Sequence, residues 1–563
     1  MADPKLSSVE ILKAASRLLR GAVAEDLAAG GIQVSEDTYQ LLKFHGSYEQ
    51  FDRDTATWRK NHGQEKEYQF MLRVRMPGGR LTPAQYLGMD KLADDRANRT
   101  LRITTRQGFQ FHGVLKGELK AAIADINHTM LTTMSACGDV VRNIMASPAP
   151  IRDARHARIQ ADASLLSEHL KPKSRAYYQI FLDEAPDEAA EESEPLYGPV
   201  YLPRKFKVGI TTPEDNTIDV LTNDLGIIAD FDGDILRGYT IAIGGGLGMT
   251  HNNARTYPRL ATPIAYVGPD ELIAIVEAVI KLQRDHGDRT NRRRARLKYV
   301  VDDMGLPWIK EQLAAYFGAP LVEPPALTLK VPDLLGWHEQ GDGNLWLGVP
   351  IAAGRIGDVE NGPQLRTALR EIVEVFAPHL ILTPQQDVLL TDIAPHNRAA
   401  IEAVLRAHKV ALAEDLTPMA QYALSCPALP TCGLALTEAE RMHGEIVGGI
   451  DQLLARHGLA SQRVSVRITG CPNGCARTYA GDIGIVGRMP GYYAIFVGGD
   501  FEGTRLNFKL REKVPHAEII SSFDPLFAAW SAQARENEGF GDFCHRLGPE
   551  KLLALYPETQ NAA

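Results

Sequence analysis

The sequence predicts a mixed α+β protein made by internal duplication, with two halves in the order A-B-A′-B′ related by a pseudo-twofold. Three observations predict it. A strand–helix–strand–helix pattern over residues 68–131 returns in the same order over residues 344–408. GITTPEDNTIDVLTNDLGII, from Gly209, lies over RITGCPNGCARTYAGDIGIV, from Arg467, without a gap. Each of these later copies then runs into glycine, GGGLG at 244–248 and Gly498 with Gly499.

Residues 1–66 read as a polar arm packed on the main body. Helical spacing (Ile11, Leu12, Ala15, Leu18, Leu19) predicts a helix over 8–20 with Ser7 or Ser8 as its cap, and FHGSYEQFDRD after it reads as irregular. Unit A spans 67–135. YQFMLRVRM alternates as a strand, PGGR turns, and TPAQYLGMDKLADD is a helix capped by Thr82 with Pro83 at its first position. LRITTRQGFQFHGV reads as a second strand and KGELKAAIADINHTML as a second helix. Unit A′, 331–412, repeats this order: Leu101 to Thr104 align with Leu380 to Thr383, and Arg106 and Gln107 with Gln385 and Gln386. Units B and B′ span 136–330 and 413–563.

Two charged runs lie outside this pattern. The acidic run at 183–194 reads as a solvated loop. The basic run at 289–298 reads as a solvated helix face, or a face that meets an anionic cofactor; its sparse aromatics, in an acidic chain, speak against nucleic acid. GGGLG lacks dinucleotide-motif spacing and suits close backbone approach to a flat macrocycle or a neighbouring strand.

At 563 residues the chain has room for three or four domain-sized units. Its 44% hydrophobic and 23% charged residues are those of a soluble globular protein. With 61 basic against 70 acidic residues, nothing global calls for nucleic acid or an anionic membrane. No apolar run is long enough to span a bilayer, and the N-terminus lacks a signal-peptide core, so a cytoplasmic, reducing location is expected.

Four of the six cysteines form two pairs, Cys426 and Cys432 as C-x5-C, Cys471 and Cys475 as C-x3-C, in turns rich in Gly and Pro. Four thiolates converging from two turns can hold an iron–sulfur cluster. Structural zinc is the main alternative, although C-x5-C fits its usual knuckles poorly. Inert thiols would not explain two close pairs, and a disulfide framework is not expected in a long chain without a secretory signal. Cys137 and Cys544 read as lone buried thiols.

TCGLALTEAER and TGCPNGCAR, at this separation, resemble the haemoprotein (beta component) of assimilatory sulfite reductase, in the sulfite/nitrite reductase superfamily. The resemblance implies two ferredoxin-like half-domains (A, A′) and two sirohaem and iron–sulfur α/β domains (B, B′). It implies a 4Fe–4S cluster on Cys426, Cys432, Cys471 and Cys475, with Cys475 also the axial ligand of a sirohaem. The implied reaction is the six-electron reduction of sulfite to sulfide, in sulfate assimilation and cysteine biosynthesis. Arg73, Arg142, Lys205 and Lys207 would each read alone as solvated charge at strand ends. They match family positions that form an anion pocket on the distal face of the sirohaem. Lys205 and Lys207 lie two apart and share one face of an extended segment. Arg102, Thr104, Arg106, Gln110 and His112 alternate along the predicted second strand and match positions around the macrocycle; His112 also reads as an ordinary packed histidine. Asn473 and Arg477 flank Cys475 and join the cofactor-binding set.

Lys207 and TCGLALTEAER resemble the sulfite branch more than the nitrite branch, whose product is ammonia. A zinc-stabilised protein without redox chemistry is the distant alternative. No flavin or nicotinamide motif is present, so a separate donor is implied. FHGSYEQFDRD and the NEGFGDF ending resemble haemoproteins that pair with an NADPH-dependent FAD/FMN flavoprotein, and a ferredoxin is the other donor in the family.

Overall fold

Two five-stranded sheets are built on one plan, and each lends a strand to the other. The computed structural model describes residues 5–185 and 193–556. The first sheet runs Ser47–Phe51, Tyr68–Arg73, Phe109–Val114, Leu101–Ile103 and Arg355–Ile356. The second runs Gly336–Glu339, Leu345–Val349, Val388–Ile393, His379–Leu382 and Arg80–Leu81. Arg355 pairs with Arg102, and Arg80 pairs with Ile381, so the two short strands are exchanged between the halves. The turns leading into them need glycine. Gly79 and Gly354 have φ of +74° and +71°, and a Cβ on either would overlap a carbonyl oxygen of the other sheet, that of Leu382 or Ile103.

Helices cover these sheets as the spacing predicts. Pro83–Arg96 starts with a capping box in which Thr82 and Gln85 satisfy each other's backbone N–H. Its counterpart Leu365–Phe376 presents Arg366 to Asp90 and Asp94 at 2.5 and 2.7 Å, tying the two half-domains together.

Residues 101–114 are not one strand. Leu101–Ile103 and Phe109–Val114 are antiparallel, and the tight turn between them carries Gln107 at φ +52°. The duplicate turn carries Gln386 at +73°. Thr104 to Gln107 are four polar residues in a row before Gly108, a turn signal; the even positions Arg102, Thr104, Arg106, Gln110 and His112 stay polar on both sides of it, which makes the two strands read as one.

Units B and B′ repeat as the gapless overlay requires. The third sheet runs Thr262–Val267, Ile235–Ile243, Leu225–Asp232, Val208–Thr211 and Met145–Ala146. The fourth runs Leu424–Ser425, Val466–Thr469, Ile483–Met489, Tyr492–Val497 and Phe508–Pro515. Val208 stands beside Leu225 as Val466 stands beside Ile483, both in parallel pairs. The Lys207 N–H donates to Asp224 at 2.9 Å and the Ser465 N–H to Asp482 at 2.8 Å, the same bond in each copy. Gly245 packs where a Cβ would overlap the carbonyls of Leu221 and Asn223, so the glycine run meets a neighbouring turn.

The arm differs from its expectation. Its first helix, Ser8–Ala15, stops five residues early, and Arg17, Leu18 and Leu19 take positive φ. Its inward face is ionic: Glu10 and Lys13 are buried while Ile11 is exposed. FHGSYEQFDRD is ordered as the edge strand Ser47–Phe51 and the start of helix Arg53–Asn61, capped by Asp52. Strand Ser47–Phe51 pairs with Tyr68–Arg73, so this part of residues 1–66 is built into the first sheet.

The basic run is likewise no solvated helix face. Residues 289–296 form turns before helix Leu297–Met304. Arg289 pairs with Glu10, Arg292 with Asp139, Arg294 with Asp303 and Arg296 with Asp224, at 2.5–2.8 Å. Of the acidic run, residues 186–192 lie outside the described residues. Gly354→Ala is expected to destabilise the fold by about 2 kcal/mol or more, read as a lower urea midpoint, because both φ and the clash oppose it.

Candidate active site: a thiol ring beside a cationic pocket

One register line organises the first sheet's inner face. Arg73 stands opposite Gln110, Gln110 opposite Arg102, and Arg102 opposite Arg355. Directly opposed residues project to the same side, and His112, two along from Gln110, joins them. The expected shared side is therefore present, but through cross-strand register rather than along one strand. In the duplicate, the positions of Arg102 and Gln110 hold Ile381 and Leu389, which pack with Ala149, Leu334 and Trp346. Gly348 stands where Arg73 does, and a Cβ there would overlap the Leu334 carbonyl. The second face is filled by its own chain.

The cationic face is left unsatisfied. Nε of Arg73 and of Arg106, Oε1 of Gln110, and both ring nitrogens of His112 are buried without a hydrogen-bond partner among the described residues. Burial, with Arg355, Arg102 and Arg73 nearby, holds the His112 imidazole well below its usual range. Buried polar atoms this concentrated are expected where a polar ligand completes the shell. Thr104 is buried and its hydroxyl accepts from the Arg106 N–H at 3.3 Å. Arg106 also reaches Asn223 Oδ1 at 2.9 Å and the Asn143 carbonyl at 2.6 Å.

Arg142 follows Val141, which bridges to Phe206, and Phe206 sits between Lys205 and Lys207. This short parallel contact brings the three cations together. Burial, then Arg142 and Arg204, lower the ammonium of Lys205; burial, then Arg106 and Arg296, lower that of Lys207. Both lysine side chains keep partial contact with solvent, as lining groups of a cavity do. Arg142 donates to the Gly138 carbonyl at 3.2 Å. Burial works against its charge, but Tyr48, Cys137 and Asp139 outweigh it and raise its pKa.

The four expected thiols come together. Burial, then Cys475, raises Cys426 and Cys432, and in the same order pushes Cys471 up to about 12. Among the described residues no three Cys, His, Asp or Glu are gathered as ligands of one metal ion, so the thiols form a wider set. Backbone N–H groups already face the sulfurs. Gly470 donates to Cys426 Sγ at 3.3 Å, and the Asn473 side chain to Cys471 Sγ at 3.6 Å. Cys475 is exposed and its charge would be felt by Lys207, which places the thiol ring next to the cationic pocket. Cys137 and Cys544 are buried and apart from the ring.

Arg102 and Arg477, both in the expected cofactor-binding set, already have protein partners. Arg102 bonds Glu440 at 3.1 Å and the Ser425 carbonyl at 2.8 Å, so it ties the sheet to the loop of Cys426. Arg477 turns away from the pocket. It donates to the carbonyls of Thr217 and Pro384 at 3.1 and 2.8 Å and pairs with Asp219 at 3.2 Å. Asp219 is its own counterpart in the duplication, so this ion pair crosses the pseudo-twofold. Asn473 serves a cysteine sulfur.

Several residues escaped sequence reading. Tyr48 is in hydrogen-bonding contact with Arg142. Thr105 Oγ1 donates to the Cys475 carbonyl at 2.9 Å. Glu440 joins Arg102 to Arg355, and Asn143 holds the carbonyls of Met76 and Arg106 at 2.8 and 2.9 Å. Arg296 lies in the flagged basic run, whose alternative reading, a face toward an anionic cofactor, was its only signal.

A ring of thiols beside a buried, unsatisfied cationic face is an arrangement suited to an oxidoreductase that holds a redox cluster and an anionic ligand. Residues 161–321 and 422–561 match the family described as nitrite and sulphite reductase 4Fe-4S domain. Residues 62–128 and 338–408 match its ferredoxin-like half domain. The chain is 45% identical over 560 residues, 99% of each chain, to the sulfite reductase [NADPH] hemoprotein beta-component of Myxococcus xanthus. It is 44% identical to the sulfite reductase [ferredoxin] of Synechococcus elongatus, over all of this chain and 93% of the other. The fold is similar to that of Mycobacterium tuberculosis NirA protein, with a TM-score of 0.80 at 24% identity over 97% of both chains. This chain belongs to the nitrite and sulfite reductase family.

Its cofactors are a 4Fe–4S cluster and a sirohaem. The residues fit them: sulfur donors converge beneath N–H donors, and orphaned cationic and polar atoms face the space beside Cys475. Cys471→Ser protein is expected to lose cluster absorbance and nearly all iron, while Cys544→Ser keeps both, as measured by iron analysis and visible spectra.

Proposed function

We propose that the protein reduces sulfite to sulfide in six one-electron steps, as the haemoprotein of an assimilatory sulfite reductase. The observation that carries this reading is the buried face on which Arg73, Arg106, Gln110 and His112 keep polar atoms unpartnered among the described residues, joined to the cysteine loop by the Thr105 hydroxyl, which donates to the Cys475 carbonyl at 2.9 Å. When bound, the sirohaem and the cluster would supply low-potential electrons for the reduction.

The chain's own residues handle charge and protons. Arg73 and Arg142 clamp the anion by charge-assisted hydrogen bonds. Lys205 and Lys207 clamp as well, and they also supply protons as oxygen leaves as water. Burial and neighbouring cations bring their affinity for protons down, and an arriving anion raises it again. Proton uptake is thus coupled to substrate binding. Arg102, Thr104, Arg106, Gln110 and His112 hold the macrocycle's carboxylates, directly or, for Arg102, by fixing the cluster loop.

The donor is a separate protein, because no flavin or nicotinamide motif is present in the chain. An NADPH-dependent flavoprotein is favoured, supported by the name of the Myxococcus xanthus relative; the name of the Synechococcus elongatus relative supports ferredoxin. The proposed site of action is the cytoplasm; in the described residues no helix is long and apolar enough to cross a membrane.

Turnover with an artificial low-potential reductant tests the reaction. One sulfide per sulfite and a higher kcat/KM for sulfite than nitrite are expected; ammonia with negligible sulfide would overturn it. NADPH with a matching flavoprotein, set against reduced ferredoxin, then separates the donors. Arg142→Gln is expected to lower kcat/KM for sulfite about 10²–10³-fold. With Lys205→Arg the charge persists but the proton is not released, so kcat falls and the alkaline decline of kcat/KM moves to higher pH.

A further inference from the structure

We propose that Lys43, Arg204 and Arg292 form an outer cationic corridor that draws anionic substrate past the arm to Lys205 and Arg142; this rests on the anion-pocket reading above. Lys43 lies in the single turn Lys43–His45 that leads into the first sheet's edge strand. Its ammonium stands 3.7 Å from the centre of the Tyr39 ring and 5.9 Å from that of Tyr48, whose hydroxyl contacts Arg142. Gln40 Oε1 accepts from it at 2.6 Å.

Arg204 and Arg292 share one acid. Asp139 lies 3.7 Å from Arg204 and 2.7 Å from Arg292; their side chains are 35% and 26% exposed, but that of Asp139 only 4%. Solvent therefore meets the cations and not the carboxylate. Lys13, also near Asp139, is buried against Glu10. Glu36 is the other acid within electrostatic reach of Lys43.

The positive groups lie within electrostatic reach of one another, with Glu36 and Asp139 as the acids among them. Lys43 feels Arg292 and Arg204; Arg204 feels Arg142; Lys205 feels Arg142, Arg204 and Lys207. Such a series matters in this chain, whose net charge of −9 repels sulfite at long range. A local positive strip with low-dielectric walls concentrates the anion at the mouth, and added salt screens it over about 10 Å.

The experiment is kcat/KM for sulfite against ionic strength, using the loaded enzyme and an artificial reductant. Lys43→Gln and Arg204→Gln are each expected to lose about threefold or more at low salt, through KM, with the gap closing near 0.5 M salt. Lys43→Arg should keep the wild-type value. Lys91→Gln, the same charge change on helix Pro83–Arg96, should match wild type at every salt concentration. A Lys43→Gln curve that follows Lys91→Gln overturns the corridor, as does a loss that persists at high salt or is shared by Lys43→Arg. Should wild type or Arg142→Gln behave against expectation, the pocket reading fails instead, so the two failures are distinguishable.

Discussion

Positive charge without enough protein acid to neutralise it is the constraint on which the rest of the site depends. Removing an arginine or lysine from water is costly unless a partner awaits it. Arg73, Arg106, His112 and the two pocket lysines face one another more than they face carboxylates. A fold that gathers these groups with so few acids is organised to take up an anion. The macrocycle's carboxylates and then the substrate complete the balance.

Duplication explains how the fold affords one such place and not two. Strand exchange carries Arg355 into line with Arg102, Gln110 and Arg73. The same exchange in the other half carries Arg80 into line with Ile381 and Leu389, where an apolar cluster closes the space. Likewise only the second of the two B-type turns bears cysteines. In the proposed site the thiols all come from B′ and the cationic face from A and B, so it is the cofactor pair together that would draw on both halves. Asp219 with Arg477 is the ionic joint where the two duplicated turns meet.

Much of this was legible in residue order. The gapless overlay of 209–228 on 467–486 gave two equivalent sheets because strand register tolerates no insertion between parallel neighbours. The paired cysteines pointed to a cluster by spacing with zinc as the alternative, and the resemblance to the family decided between them. The hairpin inside residues 101–114 was missed because polar residues hold the even positions on both sides of the turn, although the polar run Thr104 to Gln107 before Gly108 does mark it. The buried Glu10 and Lys13 were unreadable for a related reason: a helix face is assigned by its apolar residues, and an ion pair matched by distant Arg289 and Asp139 reverses that rule. Glu440 and Thr105 were invisible because their partners lie hundreds of residues away in sequence.

The measurement closest to the central claim makes the first half resemble the second. Gln110→Leu with His112→Thr installs the residues that the duplicate holds at those positions, Leu389 and Thr391, and the visible spectrum reports which cofactor remains. The account predicts folded protein that keeps cluster iron and loses the sirohaem band, whereas the reciprocal change, Leu389→Gln with Thr391→His, adds no second haem. A first variant that retains full sirohaem would contradict it.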